Sequence, residues 1–220
     1  MSAPPIDRLA VIPSAPLLLP GATGRDVPDE VARLRDQVTT AVRWLAEGAQ
    51  PLTVVIAGEP RRWEPAVLSA RELGIAWTGR FGTPAAEAKP RADYPTALLV
   101  AAAYTDGLQV VCGLSTPGET VALESSSVLV VGGGSARRGE GAPGHIDPRA
   151  VPHDDETARL LSAGDGGGFA ARDLTVAAEL LDDLSAPMAA LGGQGAPRTA
   201  QLDYYAAPYG VGYLIARWQW

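Results

Sequence analysis

Gly132-Gly133-Gly134-Ser135-Ala136-Arg137-Arg138 combines residue types that suit recognition of a charged group. Glycines permit positive φ and let a backbone approach a ligand closely, and consecutive N–H groups can form an anion-binding concavity. Arg137 and Arg138 follow where a guanidinium could grip a carboxylate or phosphate through two hydrogen bonds. The run lacks the Lys-Ser/Thr of a P-loop, so the plainer reading beside this one is a strand end with a flexible turn.

Other chemistry-bearing residues are sparse. The chain has two histidines, His145 and His153, both downstream of the glycine run. His145, between Gly144 and Ile146 in a loop-like stretch, is the candidate acid or base. His153 is read as packing on the start of a helix. Ser14 or Ser135 with His145 and Asp147 would compose a nucleophilic triad on paper, but no Gly-x-Ser-x-Gly elbow accompanies them. Nothing has zinc-ligand spacing. Cys112, the single cysteine, has no neighbour that would lower its pKa and reads as a small core residue. Glu59 can serve acid–base work or pair with Arg61 or Arg62. Tyr209 lies in a Pro-Tyr-Gly turn and either lines a site or packs the last strands.

The elements that must position these groups follow from the apolar pattern. Residues 9–12 form a short apolar run closed by Pro13, a first buried strand, and the three prolines of 13–20 imply an extended loop that places Ser14 just beyond it. From Asp29, the apolar residues Val31, Leu34, Val38, Ala41, Val42 and Leu45 recur at helical spacing, with Pro28 suited to the helix start and Gly48 to its stop. Residues 52–57 give a second strand and 59–65 a loop containing Glu59. The order strand, helix, strand predicts a parallel βαβ-like unit. A short strand is expected at 75–78, irregular chain at 79–95, a buried alanine-rich helix at 96–104 and a strand at 108–114. The run 128–131 is the strand that delivers the glycines. Asp154 or Asp155 would then cap a helix to about Ala163, with Gly164 as stop. A glycine turn at 166–168, a helix over 174–184, a further turn at 188–191 and a terminal hairpin about Ala207-Pro208-Tyr209-Gly210 complete the expectation.

Composition narrows the class. At 220 residues, with 46 % apolar and 20 % charged, the sequence fits one globular domain over 1–220, able to bury roughly 70 % of its unfolded surface without a metal or disulfide staple. No apolar run approaches a membrane span of roughly 20 residues. A net charge of −7 opposes binding to nucleic acid or anionic membrane. The opening residues lack a basic segment followed by a long apolar one, so a cytoplasmic location is expected. Lys89 is the sole lysine among many arginines, the coding bias of a GC-rich genome.

Three motifs, taken in chain order, resemble the LigB-like superfamily. They are Val11-Ile12-Pro13-Ser14-Ala15-Pro16-Leu17-Leu18-Leu19-Pro20; Gly133 to Arg138 with Ala142-Pro143-Gly144 and Asp147-Pro148-Arg149-Ala150; and Ala207-Pro208-Tyr209-Gly210-Val211-Gly212-Tyr213. That superfamily comprises the subunit-B type proteins of class III extradiol ring-cleavage dioxygenases together with Memo-like relatives. The resemblance is closest to an actinobacterial branch, covers most of the chain and is weakest over 79–95. It implies an α/β fold, three-layer α/β/α with a mixed central sheet and a pocket at strand ends. Active members hold non-haem Fe(II) there through two histidines and a carboxylate.

This chain departs from that ligand pattern at every recognisable imidazole position. Ser14 stands where active members place the histidine of the first loop. The loop after the second strand offers Glu59 and arginines. In the middle motif the acidic position falls on Gly133 or Gly134, and the histidine position on Ala136. The resemblance therefore implies a degenerate metal site with no cofactor, retaining a pocket for a small polar or anionic molecule lined by Ser14, Glu59, Gly133, Gly134, Ser135, Arg137, Arg138 and Tyr209. These groups are expected to converge at one edge of a single sheet. One alternative is an active Fe(II) oxidoreductase with the atypical set His145, His153 and Glu59. The other is a non-catalytic partner subunit of a heteromeric complex, so homo- or hetero-oligomers are both expected forms.

Overall fold

Apolar runs become four parallel strands: β1 (Arg8–Ile12), β2 (Leu52–Ala57), β6 (Val110–Thr116) and β7 (Ser127–Val131). They form the centre, in the order β6-β2-β7-β1, of a seven-stranded sheet in a computed structural model describing residues 4–48 and 51–220. Antiparallel strands close both sides. β3 (Arg61–Trp63) pairs with β6, while β9 (Tyr213–Gln219) pairs with β1 and β8 (Thr199–Ala206) lies outermost. All five residues of β7 are buried, as a strand covered on both faces requires.

The two faces carry separate cores. On β1, Ala10 and Ile12 join the side chains of α1 (Asp29–Ala46) and α2 (Thr96–Tyr104), whereas Leu9 and Val11 join those of α3 (Ala150–Ala163), α4 (Gly166–Ala170) and α6 (Ser185–Leu191). The period-two alternation of a strand thus feeds both helical layers, giving the three-layer α/β/α arrangement. α1 buries the six residues its spacing predicts, Val31, Leu34, Val38, Ala41, Val42 and Leu45, each valine and leucine contributing roughly 1.5–3 kcal/mol on leaving water. Among the described residues no helix is long and apolar enough to cross a membrane.

Several local expectations are corrected. The 59–65 segment is not all loop, because β3 closes the edge of the sheet against β6, with Trp63 buried. The predicted strand at 75–78 lies later, as β5 (Thr78–Phe81), and pairs in a small second sheet with the unforeseen β4 (Ala66–Ser69). Within the proline-rich loop, 16–18 form one 3-10 turn, which Pro16 tolerates at its first position. β1 and β2 are parallel but not adjacent, since β7 lies between them.

Helix starts and stops moved for identifiable reasons. α3 begins before Asp154 because the Asp147 side chain accepts the Arg149 N–H at 2.9 Å and its carbonyl accepts that of Ala150 at 3.0 Å, starting the helix there. The 166–168 glycines form α4 and not a turn; a Cβ on Gly168 would lie 2.2 Å from Leu160, so glycine is needed for close helix packing. The helix predicted over 174–184 divides into α5 (Leu174–Glu179) and α6, separated by Leu181 at φ 57°.

Cys112 is fully buried in β6. Burial, reinforced by the nearby Glu124 carboxylate, pushes its thiol up to about 11. A thiol reagent at pH 8 should therefore label the native protein no faster than it unfolds, and the denatured chain within minutes. Rapid stoichiometric labelling of the native state would contradict this placement.

Candidate functional site

A cavity of about 600 Å³ opens where β1 and β7 end. Its position follows from connectivity: the chain leaves β1 for α1 on one face of the sheet and leaves β7 for α3 on the other, so adjacent strand ends diverge and leave a crevice. Pro13, Ser14 and Ala15 come from the β1 end, Gly133 and Gly134 from the β7 end, and Val211 and Tyr213 from the antiparallel β9 approach. Apolar side chains dominate the wall, with Tyr209 at its exposed side. The polar side chains among the lining residues include Ser14, Thr96, Asp182 and Asp183, and none is basic.

The glycine run serves the fold in a way its composition does not announce. None of Gly132, Gly133 and Gly134 has positive φ, and their N–H groups are already engaged. Gly132 donates to the Ile12 carbonyl at 2.9 Å, Gly133 to Asp183 Oδ1 at 2.6 Å and Gly134 to the Gly212 carbonyl at 2.8 Å. Ser135 N–H donates to Asp154 Oδ1 at 2.7 Å. The expected anion-binding concavity is thus taken up by the protein's own acceptors. Glycine is required because other chain segments press against it: a Cβ on Gly132 would lie 2.5 Å from the Asp183 carbonyl, and one on Gly134 the same distance from Asp154 Oδ1.

Arg138 is likewise committed elsewhere. Arg138 donates to Asp154 Oδ2 at 3.3 Å and to the Tyr205 hydroxyl at 2.9 Å, with its guanidinium over the Tyr205 ring. It is the counter-ion of a completely buried aspartate. Arg137 approaches the His145 carbonyl at 3.5 Å. Neither arginine lines the cavity, which corrects the expectation that at least one faces it. Ser135 is also spent on structure, its buried hydroxyl donating to the Leu180 carbonyl at 2.8 Å.

What faces the cavity instead is the turn between α5 and α6. Leu181 occupies the left-handed region, a conformation costing a non-glycine residue roughly 1–2 kcal/mol, and presents the next two residues to the site. Asp183 accepts from the Gly133 N–H and is hydrogen-bonded by Ser14. It lines the cavity, and burial raises its carboxyl to about 6 despite these hydrogen bonds and one from its own backbone N–H, with Asp182 adding like-charge repulsion.

Asp182 is the better-satisfied neighbour. Its Oδ1 accepts the Leu184 and Ser185 N–H groups at 2.7 and 2.8 Å, and its Oδ2 meets the Ser185 hydroxyl and His153 Nε2, each at 2.6 Å. Arg172 Nη2 lies 2.8 Å from Nδ1 and 2.9 Å from Nε2 of His153. A carboxylate can only accept, so it is the contact with Asp182 Oδ2 that places the hydrogen on Nε2. His153, read from the sequence as packing at a helix start, is instead a buried link in this polar network inside α3.

The remaining candidates do not reach the cavity. Glu59 is exposed beyond β2, its carbonyl accepting from the Ser115 hydroxyl at 2.6 Å. His145 is exposed in the loop before α3. The paper triad does not assemble, since Ser135 is bonded to Leu180 and Asp147 to Arg149. His145, His153 and Glu59 likewise form no ligand set, and among the described residues no group of three or more His, Cys, Asp or Glu side chains could hold a metal ion. The residues present do not fit an iron centre. Of the eight expected lining residues, Ser14, Gly133, Gly134 and Tyr209 meet at the cavity.

Asp182 and Asp183 were missed because the apolar spacing from Leu174 onward was read through them as helix. The available signal was Asp182-Asp183-Leu184-Ser185-Ala186-Pro187, an aspartate ahead of a helix with proline in its first turn. No protein-family model matches the sequence, and a search of curated proteins finds no significant match.

Proposed function

We propose that this chain is a LigB-like protein lacking the family's metal centre, and that it binds a small molecule with an apolar or aromatic body and one polar group in the cavity between β1 and β7. The observation that carries this reading is the cavity itself: about 600 Å³, largely apolar, with Asp183 as a focused polar group. A carboxyl raised to about 6 can also exchange a proton with a bound ligand near neutral pH, so any reaction at the site would be acid–base chemistry centred on Asp183. The order of sequence motifs supports the LigB-like assignment, with Ser14, Gly133, Gly134 and Tyr209 from all three of them gathered at one place.

The test is a thermal-shift screen of small aromatic alcohols, amines and acids against the wild type and Ala178→Trp, which places an indole at the cavity wall from an exposed helical position. Ligands should raise the wild-type Tm and leave the variant's unchanged. Equal stabilisation of both proteins would place binding elsewhere and end this reading.

A further inference from the structure

The two lining carboxyls are not equivalent. Asp182 is saturated by two backbone N–H groups, a hydroxyl and an imidazole. Asp183 receives the Gly133 N–H, its own backbone N–H and the Ser14 hydroxyl, all neutral donors, and the charged group acting most directly on it is Asp182, of like sign. An enclosed carboxylate without a cation is costly, and it either keeps its proton or acquires a positive partner. No basic side chain lines the cavity to provide one. Tyr209 and Tyr213 are among the lining residues, a residue type whose ring attracts a cation, and the net charge of −7 raises the local concentration of cations.

From this arrangement we infer that the ligand enters as a cation, a protonated aliphatic amine on a small aromatic or alicyclic body, with the Asp183 carboxylate as its counter-ion. The inference rests on the cavity being the binding site and adds the charge of the occupant. The ammonium completes the hydrogen-bonding of Asp183, and the apolar body lies against the proline and tyrosine walls. Ionised Asp183 is the form that binds, so below about pH 6 association of the amine displaces the carboxyl proton.

Three probes of nearly equal shape separate the possibilities: benzylamine, benzyl alcohol and benzoate, titrated calorimetrically at pH 7 into wild type, Asp183→Asn and Ala178→Trp. In the wild type the amine should bind about tenfold more tightly than the alcohol, the ratio expected when a charge-assisted hydrogen bond replaces a neutral one. Benzoate should bind most weakly. Asp183→Asn keeps an acceptor for the Gly133 N–H and should remove the amine preference while leaving alcohol affinity nearly unchanged. If the alcohol or benzoate matches or exceeds the amine in the wild type, and Ala178→Trp abolishes that binding, the cationic ligand is overturned and the cavity reading stands. Retention of the amine preference in Asp183→Asn also overturns the counter-ion assignment. If none of the probes binds the wild type, both readings fall together.

Discussion

Replacing Asp182 with alanine should lower the unfolding free energy by about 3–5 kcal/mol, the range for removing one partner of a buried charged network. The side chain is completely buried and holds four donors at 2.6–2.8 Å. Two of those donors are the Leu184 and Ser185 N–H groups at the start of α6, which would lose their acceptor, and a third is the His153 ring, which would be left beside Arg172 without its own. Asp182→Asn retains an oxygen for the backbone donors and should lose clearly less. Because Asp182 also helps fix the turn that presents Asp183, the alanine variant should lose ligand binding even at temperatures where it remains folded. Chemical denaturation measures the first effect; a loss below about 1 kcal/mol would mean the network is not holding the turn.

Stability should fall as pH rises from about 4 to about 6. Asp154 and Asp183 are each raised to about 6, first by burial, against an ordinary value of 3.8. Across that window the native state binds protons that the unfolded chain has released, so the proton balance favours unfolding increasingly as pH climbs. Each group accounts for a loss of about 2–3 kcal/mol over the two units, complete above pH 6. Asp147, held down to about 2 by hydrogen bonds from Arg149, and Asp93, lowered by Arg91, act in the opposite sense chiefly below this window, while Glu124 and Glu156, lowered by Arg62 and Arg159, oppose the fall at its acid end. Denaturation midpoints at half-unit pH steps would show the slope, and Asp183→Asn should remove about half of it. A flat or rising profile between pH 4 and 6 would show that neither carboxyl is held protonated. A bound amine should flatten the Asp183 part, since it stabilises the ionised form that burial disfavours.

The layer plan was legible because it depends on local periodicity. The six buried residues of α1 repeat every three or four positions, and β1, β2 and β7 are continuous apolar runs, as strands covered on both faces must be. Weak or interrupted signals failed. β3 contains two exposed arginines before Trp63, and β4 and β5 gain their stability from pairing with each other. The division between α5 and α6 was hidden because Leu181 takes a conformation no composition rule assigns to leucine.

By itself the sequence determined the α/β class, the faces of the main helix and the strand ends to which Ser14 and the glycines belong, since each is set by residues within a few positions of one another. Only the tertiary structure decided what those residues do. Gly133 meets Asp183 across fifty positions, and Arg138 meets Asp154 and Tyr205 across sixteen and sixty-seven. Local reading assigned the glycine N–H groups and the guanidiniums to an outside anion, because it could not see which internal acceptors the fold would bring to them. Gly133 and Ser135 donate to Asp183 and Asp154, Gly132 and Gly134 to the Ile12 and Gly212 carbonyls, and Arg138 to Asp154 and Tyr205. The same packing left Asp183 at the cavity with no basic side chain in its lining, so the proposed cationic ligand rests on three-dimensional neighbours and not on the basic residues of the motif.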